Sequence, residues 1–253
     1  MKLLPEMHGA RACQPIYLNS YARLLNTEEG QMDKYRVIEV KEAVRANNDR
    51  RAAELRAAMK ERGQLLINLM SSPGSGKTTM LKRTIEALSP EMAIAIMEAD
   101  LDSDVDAATI SATGARVIQL HTGGMCHLDA SMCEQGLEGL GADEADLIVL
   151  ENVGNLVCPA EFDTGAAVNV TILSVPEGDD KPLKYPLMYQ VCDVVLVNKI
   201  DVLPYFDFDL DKCRANVEMR HPGARVIPIC AKTGEGMDEW FQWLCDQVAA
   251  IKA

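Results

Sequence analysis

The sequence lacks any apolar run that approaches the roughly 18 residues needed to cross a membrane. Its first apolar pair, Leu3 and Leu4, is cut off by Pro5 and Glu6. We therefore expect neither a secretion signal nor a membrane anchor. Internal repeats and low-complexity tracts are also missing from the 253 residues.

Basic side chains are in deficit. Lys and Arg number 25 against 38 Asp and Glu, for a formal net charge of -13. Such a field repels phosphate backbones and anionic lipid, which argues against nucleic acid or a membrane as a partner. The eight cysteines, without a secretion signal, indicate a cytoplasmic protein whose thiols are core filler, nucleophiles or metal ligands rather than disulfides.

The apolar fraction of 48% and the charged fraction of 25% are typical of a packed globular protein. Pro and Gly interrupt residues 1–33, which we interpret as a loosely ordered N-terminal arm. Residues 34–62 contain no Gly or Pro and have apolar residues at near-helical spacing, which predicts an amphipathic helix packed on the following domain. Residues 63–253 form that domain.

Short apolar runs recur through residues 63–253, with helical patterns between them. This alternation predicts an α/β fold with a doubly wound, mostly parallel sheet. The predicted strands are Leu65–Met70, Ala93–Glu98, Val117–Leu120, Leu147–Glu151, Val168–Val175, Val194–Asn198 and Val226–Ile229. The predicted helices are Lys77–Leu88, Leu128–Leu140, Pro182–Gln190, Phe208–Arg220 and Met237–Ile251.

A Gly-rich loop follows the first predicted strand and opens a helix, which is the context of a phosphate-binding P-loop. Its predicted nucleotide-binding residues are Gly74, Ser75, Gly76, Lys77, Thr78 and Thr79. Backbone N–H groups of such a loop face phosphate oxygens, and the helix dipole favours their negative charge. We expect Lys77 to bridge the β- and γ-phosphates and Thr78 to bind Mg²⁺. Ser71 stands where the usual first glycine would be.

A second motif predicts the base. Asn198, Lys199 and Asp201 form an NKxD sequence at the end of a predicted strand. The carboxylate can accept hydrogen bonds from N1–H and the 2-amino group of guanine, whereas adenine has an acceptor at N1. Ala231 and Lys232 end a CAK sequence similar to the SAK element whose amide binds guanine O6. The order of the motifs favours GTP over ATP.

A candidate switch follows the fourth predicted strand, where Glu151 and Gly154 occupy the positions of a DxxG motif. We expect Glu151 to support Mg²⁺ and Gly154 to sense the γ-phosphate. Asp100, after the second predicted strand, is a further candidate for Mg²⁺ or the attacking water. The predicted catalytic residues are therefore Lys77, Asp100 and Glu151, with Lys181 or Lys184 as possible sources of phosphate-directed charge.

Soft metal donors lie beside this switch. Cys126 and His127 precede a predicted helix, and Cys158 follows Glu151 by seven residues. Two sulfurs and one imidazole suit Zn²⁺, Ni²⁺ or copper better than Mg²⁺ or Ca²⁺. We expect Cys126 at a helix N-terminus, where the dipole favours thiolate, and a homodimer could complete the coordination shell. The remaining thiols of this domain are interpreted as core or incidental: Cys133, Cys192, Cys213, Cys230 and Cys245.

Taken together, these motifs resemble the HypB family, the SIMIBI-like P-loop GTPases that incorporate nickel during maturation of nickel–iron hydrogenases. The similarity extends over about residues 34–250, and its most specific strings are CHLD at 126–129 and ENVGNLVCPA at 151–160. The other matching pieces are the P-loop at 71–79, KPLKYP at 181–186, NKID at 198–201 and GEGM at 234–237.

The resemblance implies a GTP-hydrolysing metallochaperone that dimerises with GTP and holds nickel through Cys126, His127 and Cys158. It implies hydrogenase maturation proteins and a hydrogenase large-subunit precursor as partners. Some relatives carry an N-terminal CxxCGC or a histidine-rich tract, where this arm has only Cys13 and His8. The alternatives are a urease-accessory nickel GTPase, a metabolite kinase, and a zinc- or nickel-binding protein in which GTP only sets dimerisation.

Overall fold

The computed structural model of the chain describes residues 40–100 and 109–253. These residues lie in one compact unit, Glu39–Ala253. The predicted arm at 1–33 and the residues at 101–108, which follow Asp100, lie outside the described residues. So does the beginning of the helix predicted at 34–62.

The described strands form one seven-stranded sheet in which all neighbours are parallel, in the order β3-β2-β4-β1-β5-β6-β7. The α/β prediction is confirmed. The strands are β1 Leu65–Ser71, β2 Ile94–Asp100, β3 Arg116–His121, β4 Leu147–Glu151, β5 Val168–Ser174, β6 Val194–Asn198 and β7 Arg225–Pro228. They match the seven predicted runs: β4 and β6 have the predicted bounds, and the ends of the others differ by at most two residues.

The described helices lie on both faces of the sheet. They are α1 Val40–Glu61, α2 Lys77–Leu88, α3 Ala130–Leu140, α4 Cys158–Glu161, α5 Lys181–Lys184, α6 Pro186–Val191, α7 Leu210–Arg220 and α8 Met237–Lys252. Short 3₁₀ turns occupy Val175–Glu177 and Ile200–Tyr205. No helix in the described ranges combines the length and apolarity that a membrane span requires.

Three helix predictions need correction. The helix predicted from Phe208 begins at Leu210, because Asp209 acts as the N-cap and accepts the N–H groups of Asp211 and Lys212. The helix predicted from Leu128 begins at Ala130, because Asp129 acts as the N-cap and its side chain accepts the Met132 N–H. The single helix predicted at 182–190 is two helices, α5 and α6. Pro186 lacks a donor and disfavours helical geometry in the residue before it, so Tyr185 adopts φ -123° and ψ 61° between them.

The central strand β1 is buried along its whole length. Its residues alternate between the faces, so that Leu65, Ile67 and Leu69 pack in the core that contains α2 and α8. Leu66 belongs to the core on the opposite face, where Leu55 and Met59 of α1 also pack. Burial on both faces explains the continuous apolar runs in the sequence. Because all neighbouring strands are parallel, their carboxyl ends lie at one edge of the sheet.

Candidate functional site

The loop between β1 and α2 has the backbone geometry of a phosphate cradle. Gly74 and Gly76 have φ values of 74° and 102°, in the region that favours glycine. A Cβ on Gly76 would lie 2.5 Å from Nδ2 of Asn198, so this position also lacks room for a side chain. Gly76 is the N-cap of α2, and no side chain of the described residues caps that terminus. Its first-turn N–H groups are consequently suited to an anion.

Three hydroxyl residues of the loop differ in exposure. Ser75 is buried, and its Oγ has no hydrogen-bond partner among the described residues. A buried orphan hydroxyl is unusual, and a nucleotide or water can satisfy it. Thr78 is half-buried in the first turn of α2, while Thr79 is exposed and lines a neighbouring cavity.

Lys77 is held at the mouth of this loop. Its Nζ donates to Oγ of Ser71 at 3.0 Å and lies 3.8 Å from Oε1 of Glu151 at the end of β4. The two charged side chains are only 12% and 5% exposed. Ser71, the departure from the usual first glycine, is therefore a contact of the lysine in this chain.

The NKxD residues connect the phosphate loop to the base site. Nδ2 of Asn198 donates to the Ser75 carbonyl at 2.9 Å, and Nζ of Lys199 donates to the Gly74 carbonyl at 2.7 Å. Oδ1 of Asn198 accepts the Ala231 N–H at 3.0 Å. Because that amide is already engaged, a contact with guanine O6 would have to share it or use the next amide, at Lys232.

A cavity of about 350 Å³ opens between these elements and is lined by Gly76, Thr79, Asn198, Lys199, Asp201, Val202, Cys230, Ala231 and Lys232. Asp201 is exposed on a 3₁₀ turn at its rim. The structure thus brings the residues predicted for base recognition to one cavity. Two other cavities of the described chain, of about 290 and 370 Å³, contain none of the predicted site residues.

Arg83 of α2 contacts the base site, although no motif in the sequence indicates this. Its Nε donates to the Ala231 carbonyl at 2.7 Å, and its Nη2 donates to the Lys232 carbonyl at 2.8 Å. The guanidinium therefore holds the CAK loop against the P-loop helix. An arginine on a helix gives no sequence signal for such a contact, because its partners are backbone carbonyls about 150 positions away.

The candidate switch begins at Asn152, whose side chain is the first of three hydrogen-bonded asparagine side chains. Asn152 donates its N–H to the Leu69 carbonyl, and its Nδ2 donates to Oδ1 of Asn68 at 3.0 Å. Asn68 donates in turn to Oδ1 of Asn169 on β5 at 3.0 Å. Gly154 lies against the P-loop, since a Cβ there would be 3.2 Å from Cγ of Pro73.

Asp100 ends β2 on the same sheet edge. Glu98, two residues before it, is in register with Glu151. The structure describes the backbone of Asp100 but not its side chain. Thr78 and Glu151 supply hydroxyl and carboxylate oxygens beside the phosphate loop, which is a donor set that Mg²⁺ prefers.

Lys181 and Lys184 have local carboxylate partners. Nζ of Lys181 lies 3.8 Å from Glu177, and that of Lys184 lies 2.6 Å from Asp180. In the single chain, the positive charge of each lysine is therefore paired with a neighbouring carboxylate.

The metal donors lie on two adjacent loops. The prediction that Cys126 lies at a helix N-terminus is wrong, because α3 begins four residues later, at Ala130. Sγ of Cys126 is 3.9 Å from Nδ1 of His127. The pKa of Cys158 is raised, first by its hydrogen bond with Cys126 and then by burial. All three donors are half-buried.

The described part of the chain does not gather the three donors around one point. Within residues 40–100 and 109–253, no three His, Cys, Asp or Glu side chains form a closed metal-binding cluster. Burial lowers the pKa of His127, against the opposing effect of Asp129 and Glu161, and so favours the neutral imidazole that binds metals. The chemistry of the donors fits a soft transition ion, whereas their positions in the single chain do not form a coordination site.

Most other thiols are buried, as predicted. Burial raises the pKa of Cys133 and Cys192 strongly and that of Cys213 to about 12. Cys230 is also buried, whereas Cys245 is half-buried. Cys133, Cys192 and Cys213 are therefore poor metal ligands compared with the less buried Cys126 and Cys158.

Comparison with known proteins identifies the family. Residues 65–228 match the profile described as the CobW/HypB/UreG nucleotide-binding domain. The hydrogenase maturation factor HypB of Azotobacter chroococcum is 47% identical over 213 residues, covering 84% of this chain and 70% of that protein. The chain belongs to the HypB family. HypB of Escherichia coli K12 is likewise 47% identical over 219 residues, or 87% of this chain and 76% of the relative.

Solved HypB structures have the same fold. The crystal structure of Helicobacter pylori HypB in complex with nickel matches with a TM-score of 0.75 and 36% identity, covering 81% of this chain and 96% of that one. HypB of Archaeoglobus fulgidus gives the same TM-score and identity, with 80% and 99% coverage. Membership in the HypB family confirms the P-loop GTPase assignment and argues against a metabolite kinase.

Proposed function

We propose that this HypB-family GTPase binds nickel through Cys126, His127 and Cys158 and delivers it during hydrogenase maturation, with GTP controlling the transfer. The observation that carries the proposal is that Sγ of Cys126 lies 3.9 Å from Nδ1 of His127, whose ring stacks on Phe162, four residues after Cys158. Cys158 starts a helix only seven residues after Glu151, on the segment in which Gly154 lies against Pro73 of the P-loop. A movement of this segment with the γ-phosphate would therefore move a nickel donor.

For hydrolysis, the P-loop amides and the first turn of α2 would bind the β- and γ-phosphates. Lys77 is already directed to the loop by Ser71 and Glu151, which supports its role at the γ-phosphate. Thr78, Asp100 and Glu151 would hold Mg²⁺, which neutralises charge on the phosphates when bound. Asp100 and Glu151 would also orient the attacking water. Gly154, packed against Pro73, would report loss of the phosphate.

Guanine would occupy the cavity beside Asn198. In this arrangement Asp201 accepts from the base, and the amide of Lys232, or that of Ala231 shared with Asn198, faces its O6. Asn198 and Lys199 act indirectly, because their side chains bind the P-loop carbonyls. The loop that would bind the base is thus joined to the phosphate loop by these hydrogen bonds.

The open donor set supports a homodimer in which a second copy presents its own Cys126, His127 and Cys158 across a two-fold axis. Such an interface would complete coordination that one chain leaves unfinished. Hydrogenase maturation proteins and the large-subunit precursor would be the further partners. Zn²⁺ is a competing occupant, since sulfur and imidazole donors suit both ions.

The decisive experiment is a Ni²⁺ titration of the full chain with GDP and with a non-hydrolysable GTP analogue, followed by sedimentation. We expect nickel affinity and dimer fraction to differ between the two nucleotides. Cys126→Ala should lose nickel affinity but retain GDP binding, whereas the matched control Cys245→Ala should retain both. Equal nickel affinity with both nucleotides would refute the coupling, and retention by Cys126→Ala would remove that thiol from the site.

A urease pathway is the second candidate, because one relative at 36% identity, from Helicobacter pylori J99, is named a hydrogenase/urease maturation factor. Comparing nickel transfer to a hydrogenase precursor and to a urease apoprotein separates the two. Release of free phosphate from GTP, with no phosphorylated acceptor, separates both from a kinase and from a non-hydrolysing metal-binding protein.

A further inference from the structure

One buried side chain of α1 bridges the two loops that carry the metal donors. Oδ1 of Asn48 accepts the N–H of Ala130, three residues after His127, at 2.9 Å. Nδ2 of the same side chain donates to the carbonyl of Asp163, five residues after Cys158, also at 2.9 Å. Asn48 is only 7% exposed, so both bonds are shielded from water.

An amide is suited to this bridge because its tip has a donor and an acceptor. An aspartate keeps the acceptor but loses the donor, and it would place charge against a carbonyl. Arg56, two turns further along α1, strengthens the same attachment. It donates to Oδ1 of Asp163 at 2.6 Å and to the Ala166 carbonyl at 2.7 Å.

The neighbouring aromatic residue acts on the imidazole. Phe162 stacks on His127 with ring centroids 3.9 Å apart and an angle of 9° between the planes. The stack covers one face of the imidazole and restricts rotation of its plane, while Nδ1 remains on the side of the Cys126 sulfur. Phe162 directly follows α4, so a segment that starts with Cys158 also holds His127.

We propose that Asn48 and Phe162 are positioning residues for the metal site: Asn48 sets the spacing of the two donor loops, and Phe162 fixes the plane of His127. This inference rests on the proposed function, in which the three donors bind nickel. It gives α1 a role in metal binding although none of its described residues is a predicted metal donor. It also couples His127, through the ring contact with Phe162, to the segment from Glu151 to Cys158 that would respond to the nucleotide.

The test measures the Ni²⁺ dissociation constant of the full chain by competition with a chelator, together with the thiolate-to-nickel absorption band. Asn48→Asp and Phe162→Leu should each bind about 10- to 100-fold more weakly, because partners that orient ligands typically contribute that much. The absorption band should shift, and GDP affinity should remain native. Phe162→Tyr, which retains the ring, should restore nickel affinity.

Arg50→Gln is the matched control. Arg50 lies two residues from Asn48 on α1, is exposed, and donates to Asn47 of the same helix. It should bind nickel like the native chain. An equal loss in Arg50→Gln would overturn the inference, and native affinity in Asn48→Asp or in Phe162→Leu would overturn the role of that residue.

A metal-free measurement tests the stack separately. In the apoprotein, the His127 ring protons should show an upfield NMR shift from the Phe162 ring current, which Phe162→Leu removes. An unchanged His127 spectrum would overturn the role of Phe162. If the native chain fails to bind nickel, or Cys126→Ala binds it normally, the proposed function itself fails and this inference falls with it.

Discussion

The Nδ2 atom of Asn198 lies 2.9 Å from the backbone carbonyl of Ser75, and this hydrogen bond joins the base site to the phosphate loop. The two residues are separated by 123 positions in the chain. They meet because β1 and β6 are both parallel strands that end at the same edge of the sheet, with only β5 between them. The contact leaves no room for a side chain on Gly76.

Gly76→Ala should therefore weaken GDP binding more than Gly74→Ala. Both positions have positive φ, so an alanine would let the free loop relax, and recovering this backbone on binding would cost about 1–2 kcal/mol, or roughly tenfold in affinity. Only at Gly76 would the new Cβ also collide with Asn198, whereas the Gly74 position has nothing within 4 Å. We expect an additional loss on the order of tenfold in fluorescent GDP titrations. Equal losses would show that the clash is relieved without cost.

Asp201→Asn should change the preferred base. The carboxylate can accept two guanine donors, while an amide presents a donor that suits a 2-oxo group. We expect GTP affinity to fall by roughly 100-fold, as for loss of hydrogen bonds to a charged group, and xanthosine triphosphate to bind better than before. Competition titrations with GTP, xanthosine triphosphate and ATP measure this. An unchanged preference for GTP would contradict the assignment of Asp201.

Arg83→Gln should weaken GDP binding about tenfold, because two carbonyls of the CAK loop lose their donors. Arg214→Gln is the matched control, since Arg214 also donates to a carbonyl, that of Val226, outside the base cavity. The control should keep native affinity. If the two variants lose equal affinity, the effect reflects general loosening of the fold rather than the base loop.

Asp146 should contribute to stability at neutral pH but not in acid. The hydrogen bond from Lys252 lowers its pKa most, burial opposes this, and the Ala93 N–H lowers it further. Because the folded-state pKa is below the ordinary value of about 3.9, the contribution is present above that pH and is lost as pH falls through the folded-state pKa.

Asp146→Asn should accordingly lower the free energy of unfolding by at most about 1 kcal/mol at pH 7, since the pair is partly exposed. The difference from the native chain should shrink below about pH 4 in urea unfolding. Asp143→Asn, at an exposed position of the same loop, is the control and should have little effect at either pH. A difference that is independent of pH would contradict the argument.

The phosphate loop and the base motif were predictable because their chemistry depends on contiguous residues. A strand, a glycine-rich turn and a helix in succession require the backbone path found from β1 to α2. Likewise, Asn198 to Asp201 follow one strand directly. The helix boundaries were less certain: Asp129 as the N-cap and Pro186 as a break moved the ends of α3 and α6, through local bonds that periodicity does not measure.

By itself, the sequence determined the α/β class, the order of the strands along the chain, the GTP-binding loops and the identity of the soft donors, since each depends on neighbouring residues. Only the tertiary structure decided which distant groups touch. Arg83 on the Ala231 carbonyl, Asn48 between the donor loops and Phe162 on His127 all depend on crossovers of the parallel sheet. A backbone carbonyl or an aromatic ring can be contacted by many kinds of side chain. Such contacts therefore leave no pattern in a single sequence, and only the fold brings the partners together.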